Sequence, residues 1–167
     1  YLPLIEALAP EVDFLAFETF PQRRELMYIL EFLAREDVAA PPAWISLSLR
    51  DPETLADGTP LDELAPELMR AKGVFAIGVN CCPPAWVAPA LRVLRRHGDK
   101  AFVAYPNLGD QGPSAYLEGR SPARTTFDPK EVATWLELGT RIVGGCCGAG
   151  PDAIAELASI VRRPRKS

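Results

Sequence analysis

Three observations predict an α/β fold. Five apolar runs of strand length recur along 167 residues, each run is followed by a segment with helical periodicity, and the reactive side chains gather where the runs end. Strict alternation of strand and helix implies parallel pairing through right-handed crossovers. That leaves an open doubly wound sheet or a (β/α)8 TIM barrel. An open nucleotide-binding sheet carries a Gly-rich turn after its first strand, and no GxGxxG or Walker pattern follows any run here. Chemistry at the C-terminal ends of several strands describes a barrel mouth instead. A full barrel takes eight strands and typically about 250 residues. The five units therefore predict one domain over residues 1–167, forming the C-terminal part of a barrel, about its last five βα units.

The strands are expected at positions 12–17, 44–49, 74–79, 101–105 and 141–143, where Val, Ile and Phe are frequent. The interval from one start to the next suits a strand, a helix and two loops. Positions 21–35 carry a helical stripe of Leu26, Ile29, Leu30 and Leu33. A helix over 61–71 follows Thr59-Pro60, read as an N-cap and a first-position proline. One over 84–96 ends at His97-Gly98, with Gly98 as a left-handed cap. One over 129–138 starts at Asp128 with Glu131 in the capping-box position and closes at Gly139. The last, 151–163, has Asp152 in its first turn, where the helix dipole favours it. The long polar stretch 108–126 is a candidate lid, and the basic tail 162–166 reads as a solvated end.

Apolar residues make up 48% and charged residues 24% of the chain. That is enough to bury a core and too apolar for a disordered tail. A net charge of −4 argues against nucleic acid as a partner. No apolar run approaches the roughly 18 residues of a membrane span, and no signal-peptide pattern opens the chain. The chain starts Tyr1-Leu2-Pro3 in what reads as the middle of a helix, so it is expected to be a piece of a longer protein or a processed one. Its four cysteines form two adjacent pairs, Cys81-Cys82 and Cys146-Cys147. Adjacent cysteines rarely bridge each other, so reduced thiols in a cytoplasmic protein are expected.

Gly78-Val79-Asn80-Cys81 and Gly144-Gly145-Cys146-Cys147 each follow a strand directly, and two further strands and helices separate the motifs along the chain. A zinc finger needs local spacing; a barrel brings distant strand ends together without it. Three thiolates from two strand ends would leave one position open, the pattern of a catalytic zinc. Cysteine is also among the most buried residue types, and spacing alone leaves zinc binding and core packing equally open.

The two cysteine motifs in this order resemble the homocysteine S-methyltransferase family. So do Phe17-Glu18-Thr19, the stretch 46–50 (SLSLR) with Asp57-Gly58-Thr59, and Tyr105-Pro106-Asn107. The resemblance implies Zn2+ held by Cys81, Cys146 and Cys147, with Cys82 a bystander. It implies that homocysteine enters the fourth position through its sulfur and attacks the methyl group of a sulfonium donor, S-methylmethionine or S-adenosylmethionine, giving methionine. Betaine and methylfolate are alternative donors. Glu18 matches the family glutamate for the substrate amino group, and Asn80, Tyr105 and Asn107 are further candidate substrate-binding residues. No acid/base residue is assigned. Positions 108–110 read Leu-Gly-Asp where the family often has Ser-Gly-Glu, and the family's early Asp-Gly-Gly has no counterpart here. Rival expectations are a non-catalytic zinc- or thiol-binding fragment and a different barrel enzyme with core cysteines. Five units cannot close an eight-stranded barrel, so a further N-terminal barrel segment or homo-oligomerisation is expected.

Overall fold

The computed structural model describes residues 2–35, 37, 40–109 and 125–162. Its strands are β1 (Leu15–Phe20), β2 (Ala43–Leu47), β3 (Leu49–Asp51), β4 (Thr54–Leu55), β5 (Val74–Asn80), β6 (Ala101–Tyr105) and β7 (Thr140–Val143). β3 and β4 form a short hairpin of their own, and the other five make one sheet in the order β1-β2-β5-β6-β7. All neighbours in that sheet pair in parallel, and their order in space is their order in sequence. A doubly wound sheet reverses direction at a switch point; this one never does. The helices are α1 (Leu2–Leu8), α2 (Arg23–Leu33), α3 (Leu61–Arg70), α4 (Pro84–Arg95), α5 (Pro129–Glu137) and α6 (Pro151–Arg162). α3 packs on α4, α4 on α5 and α5 on α6, as successive helices do around the outside of a barrel. The described residues are thus a partial TIM barrel.

The core lies between strands and helices. Leu26, Ile29, Phe32 and Leu33 form the buried stripe of α2, and Leu61, Leu64, Ala65 and Leu68 that of α3. Trp135 of α5 is fully buried and meets Phe127 edge-on, with centroids 6.3 Å apart. The β3–β4 hairpin leads into Asp57, whose carboxylate accepts from the Arg23 N–H at 2.8 Å. That bond satisfies a donor in the first turn of α2, where the helix itself supplies no acceptor.

Several local expectations are corrected. β1 starts at Leu15, later than expected, because β2 offers its first partner, Ala43, only there. Pro60 is the N-cap residue of α3 rather than its first helical residue, and Thr59 makes no capping bond. Gly98 is not among the glycines with positive φ; a Cβ there would crowd Met69 at 3.0 Å, so space explains it. Gly139 does close α5, at φ +105°, and Asp128 caps it by accepting from the Lys130 N–H. The candidate lid lies mostly outside the described residues.

Arg95 ties three elements together. Its guanidinium donates to the Leu138 carbonyl at 2.7 and 3.1 Å, to Gly98 at 3.3 Å and to Lys100 at 3.4 Å, and stacks 4.2 Å over the Phe102 ring. It supplies the donor that the C-terminus of α5 lacks. Arg95→Met, which keeps the stem and loses the bonds, is expected to destabilise the fold by about 2 kcal/mol or more. Urea unfolding followed by circular dichroism measures this; an unchanged midpoint would contradict it.

Candidate metal centre

All the polar side chains at issue stand toward the C-terminal ends of strands. β1 carries Glu18 and Thr19 just before its last residue, β2 contributes Ser46, and β5 runs into Asn80 and Cys81. β6 runs into Tyr105 and Asn107, and β7 into Cys146 and Cys147. The Sγ atoms of Cys81, Cys146 and Cys147 all lie within 4.8 Å of one another. Cys81 and Cys147 are 3.7 Å apart. Four sulfurs at about 2.3 Å from a tetrahedral zinc stand about 3.8 Å from each other, so the spacing fits that ion. Cys82 is buried among the core residues and is not part of this group.

Backbone pairing brings the two cysteine motifs together. Beyond β6 and β7 the Gly144 N–H donates to Ala104 and the Cys146 N–H to Pro106; the Leu108 and Gly109 N–H groups both donate to Cys147. Gly148 makes this approach feasible. It sits at φ +80°, and a Cβ there would lie 2.4 Å from the Gly109 nitrogen. On the other side the Cys81 N–H donates to Tyr105 and the Asn107 N–H to Cys82. Asn107 is itself buried, and its side-chain oxygen accepts from the Cys147 N–H at 3.1 Å. It therefore holds one cysteine motif with its backbone and the other with its side chain.

Asn80 is 2% exposed and lies inside a polar network. Its Nδ2 donates to Thr19 Oγ1 at 2.7 Å, and its Oδ1 accepts from the Thr19 N–H at 3.1 Å and from Ser46 Oγ at 2.8 Å. Ser46 Oγ is also bonded to the Tyr105 hydroxyl. Thr19 and Cys81 are the non-glycine residues with positive φ among the described residues, at 61° and 52°. Each adjoins a candidate site residue, Glu18 or Asn80, and left-handed backbone outside glycine persists only where surroundings hold it. Ser46 and Thr19 have no functional role in the sequence reading. A serine in the middle of an apolar strand is the signal that was available, since a buried hydroxyl needs partners. Glu18 is exposed at the mouth. Ser48 makes backbone bonds, and Arg50, itself exposed, stands in the β3–β4 hairpin, 3.8 Å from Asp51. His97 bonds Asp62 at 2.8 Å beside the end of α4.

The electrostatics suit a cation. Burial, then the neighbouring thiols, push Cys81 up to about 12, and burial raises Cys146 as well. Ionising Cys81 or Cys146 without a counter-charge is therefore unfavourable; a divalent ion reverses that balance. Burial also pushes the Cys82 thiol up to about 12, and raises the Tyr105 phenol, beside which the Glu18 charge acts in the same direction.

The family model for homocysteine S-methyltransferase matches residues 1–161. Homocysteine S-methyltransferase 1 of Arabidopsis thaliana is 31% identical over 154 residues, 90% of this chain and 47% of that protein. Homocysteine S-methyltransferase YbgG of Bacillus subtilis is 33% identical over 159 residues, 95% of this chain and 49% of that protein. A metallated form of the homocysteine methyltransferase MmuM from Escherichia coli superposes with a TM-score of 0.74 at 33% identity, covering 95% of this chain and 49% of that one. The chain spans about half the length of the curated relatives it matches.

Two outcomes are expected of metal titrations. Cys81 and Cys146 are protonated at neutral pH. Binding therefore releases at least two protons, and apparent zinc affinity rises with pH by at least about a hundredfold per unit below about pH 9. Asn107→Ala weakens zinc binding about 10- to 100-fold, whereas Cys82→Ala leaves it unchanged. Competition with a chromophoric chelator measures both; a flat pH profile, or equal losses in the two variants, would contradict this account.

Proposed function

The chain belongs to the homocysteine S-methyltransferase family, and from that premise we propose methyl transfer from a sulfonium donor to the thiolate of homocysteine, giving methionine, with Zn2+ as cofactor. S-methylmethionine or S-adenosylmethionine is the donor in this proposal. The observation that carries it is the meeting of three thiols from two strand ends, at the spacing of a tetrahedral sulfur site with a position to spare.

Bound by Cys81, Cys146 and Cys147, zinc would supply the acidity that ionises an incoming thiol near neutral pH. The remaining work falls to this chain's residues. Asn80 and Asn107 hold the backbone that aims the three ligands, supported by their buried bonds to Thr19, Ser46 and Cys147. Glu18, exposed at the mouth, faces the substrate ammonium. The new bond joins the homocysteine sulfur to the methyl carbon, and the old carbon–sulfur bond breaks with its electron pair leaving on the donor. That donor departs as a neutral thioether and needs no proton, so no side chain is assigned as acid or base. His97, engaged with Asp62 beside α4, is consistent with this. Four free cysteines suit a reducing compartment, the cytoplasm.

The test is methionine formation by the reduced, zinc-loaded protein from homocysteine and each donor, read by chromatography. Turnover with a sulfonium, abolished in Cys146→Ser, is expected. Turnover with betaine or methylfolate alone would move the reaction to another donor. One bound zinc with no turnover on any donor would favour a non-catalytic zinc-binding role.

A further inference from the structure

The pairing of β1 with β2 slips at the mouth. Phe17 stands opposite Ile45 and Phe20 opposite Leu47, so Glu18 and Thr19 together oppose the single residue Ser46. This is a bulge, a device that re-aims side chains beside functional sites. Thr19 absorbs the extra length at φ +61°, which is unfavourable for a β-branched side chain. From the bulge its N–H and hydroxyl reach the Asn80 amide at 3.1 and 2.7 Å, and Asn80 directly precedes Cys81. A strained bulge persists only where the chain on both sides of it is held. Before the bulge, the ladder with β2 does this.

After the bulge the hold comes from the loop that follows the β3–β4 hairpin. The Ser48 N–H donates to the Phe20 carbonyl at 2.9 Å. Asp57 then grips the turn into α2 twice: its N–H donates to the Pro21 carbonyl at 2.9 Å, and its carboxylate accepts from the Arg23 N–H at 2.8 Å. Gln22, the N-cap residue of α2, makes no side-chain capping bond, so the acceptor comes from across the loop. The second carboxylate oxygen accepts from the Thr59 N–H at 2.9 Å, which fixes the direction of the side chain. Gly58 turns the loop at φ +96°, and Leu55, 0% exposed, anchors it in the core. Asp57-Gly58-Thr59 is thus a sequence motif outside the thiol cluster, with its own mechanical task.

We infer that Asp57 is a positioning residue for the mouth: by clamping the turn after β1 it locks the bulge that carries Glu18 and Thr19, and through Thr19 it steadies Asn80. Without the clamp, Thr19 is free to leave its left-handed conformation and the bulge to slide toward regular pairing. Both bulge residues are then misplaced. The effect on homocysteine rests on the substrate proposed above; the hold on Thr19 does not.

Two measurements on Asp57→Ala test it, with reduced protein supplied with zinc: hydrogen exchange of the Thr19 amide by NMR, and calorimetric titration with homocysteine. Asp128→Ala is the control. It removes the cap of α5, a carboxylate bond of the same 2.8 Å length to a helix N–H that lies outside this loop. In Asp57→Ala, Thr19 exchange should quicken and homocysteine binding weaken, each about tenfold, the size of a lost N-terminal cap. Asp128→Ala should change neither, although both variants lower the unfolding temperature. Unchanged Thr19 exchange, equal acceleration in the two variants, or faster exchange with unaltered homocysteine affinity overturns the inference. A wild-type protein that does not bind homocysteine overturns the proposed substrate instead, and Thr19 exchange then decides the clamp alone.

Discussion

Backbone pairing that continues past the ends of β6 and β7 is the constraint on which the mouth depends. The N–H groups of Gly144 and Cys146 donate to Ala104 and Pro106, and those of Leu108 and Gly109 converge on the Cys147 carbonyl. This carries two adjacent cysteines across to a third, Cys81, that belongs to a strand much earlier in the chain. Parallel strands in sequence order make the crossing possible, because neighbouring strand ends all point the same way.

The same arrangement disfavours ionised thiols at Cys81 and Cys146, which a bound cation would offset. Burial and mutual proximity hold the thiol protons in place. A divalent ion among the three sulfurs would take the place of those protons. Beneath the thiols, the Thr19–Asn80–Ser46–Tyr105 chain is hydrogen-bonded throughout and buried at its centre. Left-handed backbone at Thr19 and Cys81 shows where the fold spends conformational energy to aim its side chains. Thr19 belongs to that chain, and Cys81 directly follows its Asn80.

The fold was legible in the sequence because alternation of apolar runs and helical stripes survives any local error. β6 falls at 101–105 as expected, whereas β1 is displaced because a strand's limits depend on where its partner begins. The β3–β4 hairpin is absent from the sequence reading; strands so short carry no periodicity to detect. Among the site residues, the cysteines were visible as motifs, and the structure brings Cys81, Cys146 and Cys147 together without Cys82. The bond from Asn107 to the Cys147 N–H was not legible, since a residue type alone does not say which backbone it will satisfy. Nor was the part of Ser46, whose significance comes from three partners, Thr19, Asn80 and Tyr105, on other strands.

The central claim is that three thiolates of this chain share one zinc with a position left for a substrate sulfur. X-ray absorption at the zinc edge, on the zinc-loaded protein before and after adding homocysteine, tests it most directly. Three sulfurs and one lighter atom should become four sulfurs at about 2.3 Å. An unchanged first shell on adding homocysteine, or fewer than three sulfurs before it, would contradict the account.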